Sequence, residues 1–347
     1  VVAMSGGVDS SVAASLLVEQ GYEVVGVTLK LLPKMDSSFG CCGSPADVED
    51  AKRVCETLGI SHYTMNAAEL FEEKVISPFV HSYAQARTPN PCVECNRSIK
   101  FHYLMNLAKA WDADFLATGH YARIENTSHG PYHLLKARDL QKDQSYFLYI
   151  LTQEKLQRTL FPVGEMNKGE VRERARQLGL KTAEKPDSHE VCFVSSGNYR
   201  DFLQEKRGIE SVPGPIVNTA GHALGEHQGL MGYTVGQRKG LGISVGHSLY
   251  VVGMETNSNT LVVGEKKEAA RDRFWVSQLS WVHEPQGSLR AEVKIRYRHP
   301  GCAAELRGLS GGRAEVNLEV PQQAVTPGQS AVFYRGEEVL GGGIIDN

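Results

Sequence analysis

The sequence has no apolar run approaching the length of a membrane span, and no signal-peptide succession of basic, apolar and small residues precedes Val1. No membrane span is expected, and the cysteine pattern described below makes a cytoplasmic location the expectation. An excess of positive charge is also missing. The 37 Lys and Arg residues against 40 Asp and Glu leave a net charge of −3, which excludes a wholesale basic nucleic-acid binder but not a local basic face. Internal repeats and low-complexity tracts are absent. Cysteine is sparse and odd in number, seven in all, with one adjacent pair (Cys41-Cys42) and one Cys-x-x-Cys (Cys92 to Cys95). No second Cys-x-x-Cys follows, and no histidine pair falls roughly 12–15 residues after Cys95 as a zinc finger requires, so neither a secreted disulfide framework nor a four-ligand structural zinc is supported. Redox pair, cluster ligands, or one nucleophile with a bystander remain open for these thiols.

What is present describes a soluble globular chain of 347 residues, 41% hydrophobic and 22% charged, long enough for two or three domains. A monomer is expected, and a short stretch is expected ahead of Val1 because the first strand begins there. Val1-Val2-Ala3-Met4 reads as a buried strand, Ser5-Gly6-Gly7-Val8-Asp9-Ser10-Ser11 as a turn, and Val12 to Gln20 as a helix with Ser10 and Ser11 at its cap. A strand turning through two glycines into a helix N-terminus offers backbone N–H groups and a positive dipole end to phosphate. It is not a Walker loop, since the Gly-Lys-Ser/Thr ending is missing and no lysine is near in sequence. Asp9 would repel phosphate unless a divalent cation lay between them, which implies Mg²⁺. This stretch resembles the loop of the PP-loop ATP pyrophosphatases. The resemblance implies ATP, bound by Met4, Ser5, Gly6, Gly7, Val8, Asp9, Ser10 and Ser11, with Mg²⁺ held by the phosphates and Asp9.

Along the chain, Glu23 to Leu29 reads as a second buried strand, so the fold class expected is α/β with a Rossmann-like parallel sheet. Ligands in such sheets lie beyond the strand C-termini, which places Leu29 and, after the strand Asp114 to Thr118, Gly119 and His120 beside the nucleotide. Leu31 to Gly43 reads as a mobile loop. Ser44, Pro45 and Asp47 start a helix to Leu58, with Cys55 in its core. Asn66 and Glu69 form an expected capping box, and Asn167 caps an expected helix over Met166 to Leu178. Arg87 to Asn96 reads as a polar, proline-fixed loop carrying two thiols, followed by a basic helix start at Arg97 and Lys100. Pro213-Gly214-Pro215 is the best linker candidate. Beyond it, Gly and β-branched residues and short strands with turn signals imply a small β-rich domain and a β-barrel.

Taken together, the PP-loop, Thr88-Pro89-Asn90-Pro91-Cys92-Val93-Glu94-Cys95-Asn96, Gly119-His120-Tyr121, Lys142-Asp143-Gln144-Ser145-Tyr146-Phe147-Leu148 and Ser188-His189-Glu190-Val191-Cys192-Phe193 resemble the motifs of the tRNA-specific 2-thiouridylases over essentially the whole chain. The resemblance implies ATP-dependent 2-thiolation of the wobble uridine of tRNAs for lysine, glutamate and glutamine. Adenylation of the uracil 2-carbonyl would make AMP the leaving group, Cys192 would deliver sulfur as a persulfide, and Cys95 would act as nucleophile and end in a Cys95–Cys192 disulfide. A cysteine desulfurase or sulfur-relay protein is implied as donor. By the same resemblance Asn90, Pro91 and Cys92 line the target-base pocket, and His120, Lys142, Asp143, Gln144, Arg296, Tyr297 and Gln329 touch tRNA. Some family members carry Asp at the position of Cys92, which leaves room for a second reading in which Cys92, Cys95 and Cys192 hold an iron–sulfur cluster.

The segment Gln286 to Ala314 carries Arg290, Lys294, Arg296, Arg298, Arg307 and Arg313 against Glu292 and Glu305, a basic strand face suited to a phosphate backbone. The expected division is a catalytic domain over 1–210, a β-rich central domain over 211–267 and a tRNA-binding β-barrel over 268–347. The rival reading is a PP-loop ligase or synthetase acting on a small molecule, which would need neither the three thiols nor a basic barrel. A non-enzymatic RNA-binding protein is a third, disfavoured by intact Asp9 and Ser10.

Overall fold

In the computed structural model, which describes residues 1–32, 43–126, 130–186, 191–194, 199–208, 210–308 and 312–346, the chain opens with β1 (Val2–Ala3). It turns through the glycine pair into helix α1 (Val8–Glu19) and returns as β2 (Val25–Lys30). Helix α2 (Pro45–Leu58) leads to β3 (Ser61–Asn66), and further helical segments lead to β4 (Leu116–Ala117). A hairpin of β5 (Ala122–Asn126) and β6 (Tyr132–Lys136) then precedes β7 (Thr159–Leu160). The parallel sheet has the order β3-β2-β1-β4-β7. Because the chain leaves β1 toward β2 and β3 and later returns to β4 on the other side, the order reverses between the C-termini of β1 and β4. In doubly wound sheets the ligand crevice forms at that point.

Several local boundaries follow the side-chain chemistry. Ser44 Oγ accepts from the Asp47 amide at 3.1 Å with Pro45 in the first turn, and Gly59, at φ 68°, ends α2. Asn167 and Glu170 form a reciprocal capping box on the helix Lys168–Gln177. Two expectations need correcting. Helix α1 starts at Val8 after an extended Gly7, so Ser10 and Ser11 lie inside its first turn and donate back to the Gly7 carbonyl at 3.1 and 2.8 Å rather than capping it. The Asn66–Glu69 capping box does not form, because the next helix begins at Ala68 and Asn66 Oδ1 takes the Ala68 amide in a local turn. Cys41 and Cys42, with most of the loop expected over Leu31 to Gly43, lie outside the described residues, as does Ser188-His189-Glu190.

The second sheet comprises β8 (Gly214–Asn218), β9 (Ala223–His227), β10 (Tyr250–Glu255) and β11 (Thr260–Gly264), in the order β10-β11-β8-β9. The expected linker at Pro213-Gly214-Pro215 is therefore largely strand: Gly214 and Pro215 pair with His227 and Glu226. A Cβ on Gly214 would lie 2.2 Å from the Asn259 carbonyl, so this glycine serves close packing rather than flexibility.

The third unit runs through β12 (Ala270–Trp281), β13 (Leu289–Lys294), β14 (Cys302–Arg307), β15 (Arg313–Gln323), β16 (Ser330–Arg335) and β17 (Glu338–Ile345). Their order β12-β15-β14-β13-β16-β17 closes through pairing of β12 with β17, giving an antiparallel barrel. The barrel does not stand alone. Strand β6 of the hairpin pairs with β17, so the barrel sheet continues into the N-terminal unit. One apolar core spans the seam, with Leu134, Tyr146, Tyr149 and Leu151 packed with Val282, Val332, Tyr334 and Val339. Tyr146 donates its hydroxyl to the Ser330 carbonyl at 2.8 Å, satisfying a polar group that burial would otherwise penalise. Among the described residues no helix is long and apolar enough to cross a membrane.

Candidate active site

A cavity of about 200 Å³ opens at the crevice between β1 and β4. Met4, Ser5, Asp9 and Ser10 line it from the glycine loop, Leu29 and Leu31 from the end of β2, and Thr118, Gly119 and His120 from the end of β4. Cys95, Ile99 and Lys100 close it from a helix and Gln144 from a loop. The remaining loop residues support it from behind. Val8 and Ser11 are buried, and Gly6, at φ 72°, backs onto α2 so tightly that a Cβ would lie 2.3 Å from the Asp47 carbonyl. Gly119 is equally constrained: a Cβ there would meet the Ser10 amide nitrogen at 2.6 Å.

Tertiary structure supplies the cations that the loop sequence lacks. Lys168 Nζ reaches both Asp9 carboxylate oxygens at 2.7 and 2.9 Å, and the Tyr121 hydroxyl donates to Asp9 Oδ1 at 2.7 Å. Lys185 Nζ bonds the Gly6 carbonyl at 3.0 Å, Asp47 at 2.6 Å and Asp50 at 2.7 Å. Burial pulls the Lys185 pKa down, but the two carboxylates more than offset it and hold the ammonium above its ordinary value. Sequence reasoning gives neither lysine a role. Lys168 does leave a trace: it opens a helix, where a cation opposes the macrodipole, and such a local mismatch marks a residue placed for another purpose. Asp9 also suits Mg²⁺, which needs only one or two carboxylates when phosphate oxygens complete its shell.

His120 forms a wall of this cavity. Its Nδ1 is 2.7 Å from Thr118 Oγ1 and its Nε2 is 3.4 Å from Lys100 Nζ. An ammonium can only donate, so Nε2 carries the lone pair and Nδ1 the proton. Burial, with the Lys100 charge beside it, holds the His120 pKa well below the ordinary value, and the ring is neutral at neutral pH.

The thiol segment departs from the expected loop. Asn90 Oδ1 accepts from the Val93 amide at 3.4 Å and Pro91 takes the first helical position, so a helix begins at Pro91–Glu94 and continues as a wider π-type segment through Cys95–Leu104. Cys92 sits exposed in the first turn, while Cys95, one turn on, faces the cavity. Cys95 and Cys192 pack against one apolar cluster that includes Leu31, Phe71, Phe79, Ile99 and Phe193. Phe193 anchors the second thiol there, 3% exposed and edge-on to Phe71 and Phe79 with centroids 5.9 and 5.1 Å apart. Burial pushes the Cys55 thiol up to about 11, and it stays in the helix core as the sequence suggests.

The remaining positions gather around the same mouth. Gln144 Oε1 accepts from the Tyr121 amide at 3.0 Å, and Lys142 is half-buried beside it. Asp143 is 6% exposed and spends its carboxylate on the Ala137 amide and on Ser145, which makes it the organiser of that loop. Gln329 Nε2 donates to the Thr88 and Pro89 carbonyls at 3.0 and 3.4 Å, clamping the residues just ahead of Asn90 to the barrel. Tyr297 packs on Phe147 with centroids 4.6 Å apart. Arg296 and Arg298 are exposed, but in the turn after β13 rather than on a strand face, because β13 ends at Lys294.

Comparison with known proteins gives three family matches that together cover most of the chain. They are a tRNA methyl transferase HUP domain over residues 1–196, a tRNA methyl transferase PRC-barrel domain over 200–265 and an aminomethyltransferase beta-barrel domain over 271–345. A tRNA-specific 2-thiouridylase MnmA from Geobacter metallireducens is 48% identical over 353 aligned positions, covering 100% of this chain and 96% of that protein. Another from Moorella thermoacetica is 47% identical, with 100% and 99% covered. An NMN synthetase structure from Francisella tularensis shares 18% identity at a TM-score of 0.34, covering 61% of this chain and 77% of that one.

Proposed function

The chain belongs to the tRNA-specific 2-thiouridylase family, a tRNA-uridine 2-sulfurtransferase that uses ATP, and from that premise we propose how its own residues perform the reaction. The observation that carries the proposal is that the phosphate loop and Cys95 line one cavity. The substrate is the wobble uridine of tRNAs for lysine, glutamate and glutamine. Ser5 to Ser10 cradle the triphosphate of ATP, and Mg²⁺ held at Asp9 would neutralise the charge of the departing pyrophosphate. Lys168, which pairs with Asp9, would lend its charge to the phosphates were a metal held at that carboxylate.

The uracil 2-oxygen attacks the α-phosphorus and pyrophosphate leaves, which turns a poor leaving group into AMP. The terminal sulfur of a Cys192 persulfide then bonds to C2, and AMP departs with the former carbonyl oxygen. Cys95 thiolate attacks the Cys192 sulfur, the uridine keeps the transferred sulfur, and a Cys95–Cys192 disulfide remains for an external reductant. A cysteine desulfurase or relay protein recharges Cys192. Asn90, Pro91 and Cys92 flank the target base, Gln144 and His120 shape its pocket, and Arg296, Tyr297 and Lys142 bring tRNA to the mouth. Gln329 acts through the backbone it clamps and Asp143 through the loop it organises. The three units divide at about residues 210 and 267, and the protein works as a monomer in the cytoplasm.

Purified enzyme with tRNA, ATP and a cysteine desulfurase tests this. Cys192→Ser should lose the persulfide adduct, Cys95→Ser should keep it without turnover, and Cys92→Ser should retain substantial thiolation. The second reading, an iron–sulfur cluster on all three cysteines, predicts equal loss in the three variants and activity that tracks iron. The packing of Cys95 and Cys192 against one apolar cluster supports the two-thiol reading. Pyrophosphate released without any tRNA would support instead a ligase acting on a small molecule.

A further inference from the structure

We propose that His133, His283 and Glu338 form a divalent transition-metal site of the zinc class, which staples the N-terminal hairpin to the barrel. Their ligand atoms all lie within 4.8 Å of one another, although the three residues come from three distant parts of the chain. The register brings two of them together. Val339 pairs with Leu134 and Glu338 with Leu135 across β17 and β6, so Glu338 shares a sheet face with His133, two residues from Leu135. Their side chains meet, with His133 Nδ1 2.6 Å from Glu338 Oε1. His283 arrives from the segment after β12, where the Val282 amide bonds the Leu340 carbonyl at 3.0 Å and fixes the approach.

The surroundings of His283 are those of a metal ligand. Its Nε2 is 3.0 Å from the Tyr132 carbonyl, an obligate acceptor, so Nε2 carries the proton and Nδ1 keeps the lone pair. Ligating histidines characteristically donate their other N–H to a carbonyl in this way. Gln153 holds the carbonyl in turn: its Nε2 donates to Tyr132 O at 2.8 Å and to Val282 O at 3.1 Å, and its Oε1 accepts from the Tyr132 amide at 2.9 Å. Two imidazoles and one carboxylate suit zinc-class ions, with water in the fourth position. The group is accessible enough for that water, with the His133 and Glu338 side chains 32% and 19% exposed. Binding at His133 Nδ1 breaks its hydrogen bond to Glu338, the neutral imidazole carrying its one proton on Nε2 instead, and the N···O separation opens to about 3.3 Å, as two ligands about 2.0–2.1 Å from a tetrahedral ion require. This site is separate from the residues that line the nucleotide cavity.

The test uses the full-length protein, stripped with chelator and titrated with Co²⁺ and Zn²⁺. We expect one Co²⁺ per chain whose visible spectrum is that of nitrogen and oxygen ligands without thiolate charge-transfer bands, and a Tm that rises on loading. His283→Ala and Glu338→Gln should lose that equivalent. Glu338→Gln keeps a hydrogen-bonding side chain, so its metal-free melt should match that of the metal-free wild type, which separates lost binding from lost folding. Cobalt bound only with thiolate bands, or bound equally by both variants, or a Tm that does not respond to metal, would overturn the proposal.

Discussion

Replacing Gly119 by alanine tests the proposed nucleotide site with one methyl group. The added Cβ would sit 2.6 Å from the Ser10 nitrogen, 2.7 Å from the Asp9 carbonyl carbon and 3.0 Å from its oxygen. Carbon contacts settle at roughly 3.5–4.0 Å, so the end of β4 and the start of α1 must separate by about 0.8 Å or more. All three obstructing atoms are backbone, and no side-chain rotation can relieve the overlap. Overpacking of this kind costs about 1–3 kcal/mol of stability. The larger effect is on catalysis, because a displacement near 1 Å costs on the order of 100-fold, which is about 2.7 kcal/mol on the barrier. Gly59→Ala is the control: it is strained at φ 68° but has no atom within 4 Å, so it should lose comparable stability and keep its rate. Tm, tRNA affinity and tRNA-dependent pyrophosphate release are measured for both. A Gly119→Ala enzyme that keeps more than a third of the wild-type rate, or that loses tRNA affinity in step with rate, refutes the reasoning.

Three further outcomes follow from the geometry. Lys168→Met should cut pyrophosphate release by roughly 10²-fold while tRNA affinity holds, since on the proposed mechanism it removes a charge that serves the phosphates; an unchanged rate would reduce Lys168 to an ion pair with Asp9. Neutralising Arg296 and Arg298 to Gln should lower the slope of log affinity against log salt by about 0.7–0.9 for each phosphate that the two arginines neutralise, and an unaltered slope would mean that the turn is merely solvated. His120, whose folded pKa lies below its unfolded value, takes up its proton first in the unfolded chain. Stability should therefore fall as pH drops below about 6.5, by up to about 1.4 kcal/mol per pH unit. Urea melts of wild type and His120→Gln at pH 7.5 and 5.0 check this, and a pH-independent difference between the two would contradict it.

Much of this protein is local in origin and could be read without coordinates. The turn at Gly6-Gly7, the caps at Ser44 and Asn167 and the apolar strands use neighbouring residues, so their chemistry is written consecutively. The thiols and the loop motifs are legible for the same reason, as is the closing β-rich third. The helix at Pro91 is legible in principle, since Asn90 before Pro91 is a start signal, but the density of polar residues there suggests a loop. Tertiary structure decided what depends on chain returning from far away. Lys168 meets Asp9 across 159 positions and Lys185 meets Asp47 across 138, which no periodicity encodes. The addition of β6 to the barrel through β17 depends on backbone hydrogen bonding, which is indifferent to side-chain identity. That pairing buries Tyr146 and Tyr149 against the barrel and sets His133 beside Glu338. The sequence by itself determined the glycine turn between β1 and α1, the Cys-x-x-Cys segment and the family, because each rests on contiguous patterns with a direct physical reading. Only the fold decided which cations serve the loop, how Cys95 and Cys192 come to one cluster, and how the barrel joins the catalytic unit, because those contacts rest on where separate strands end in space.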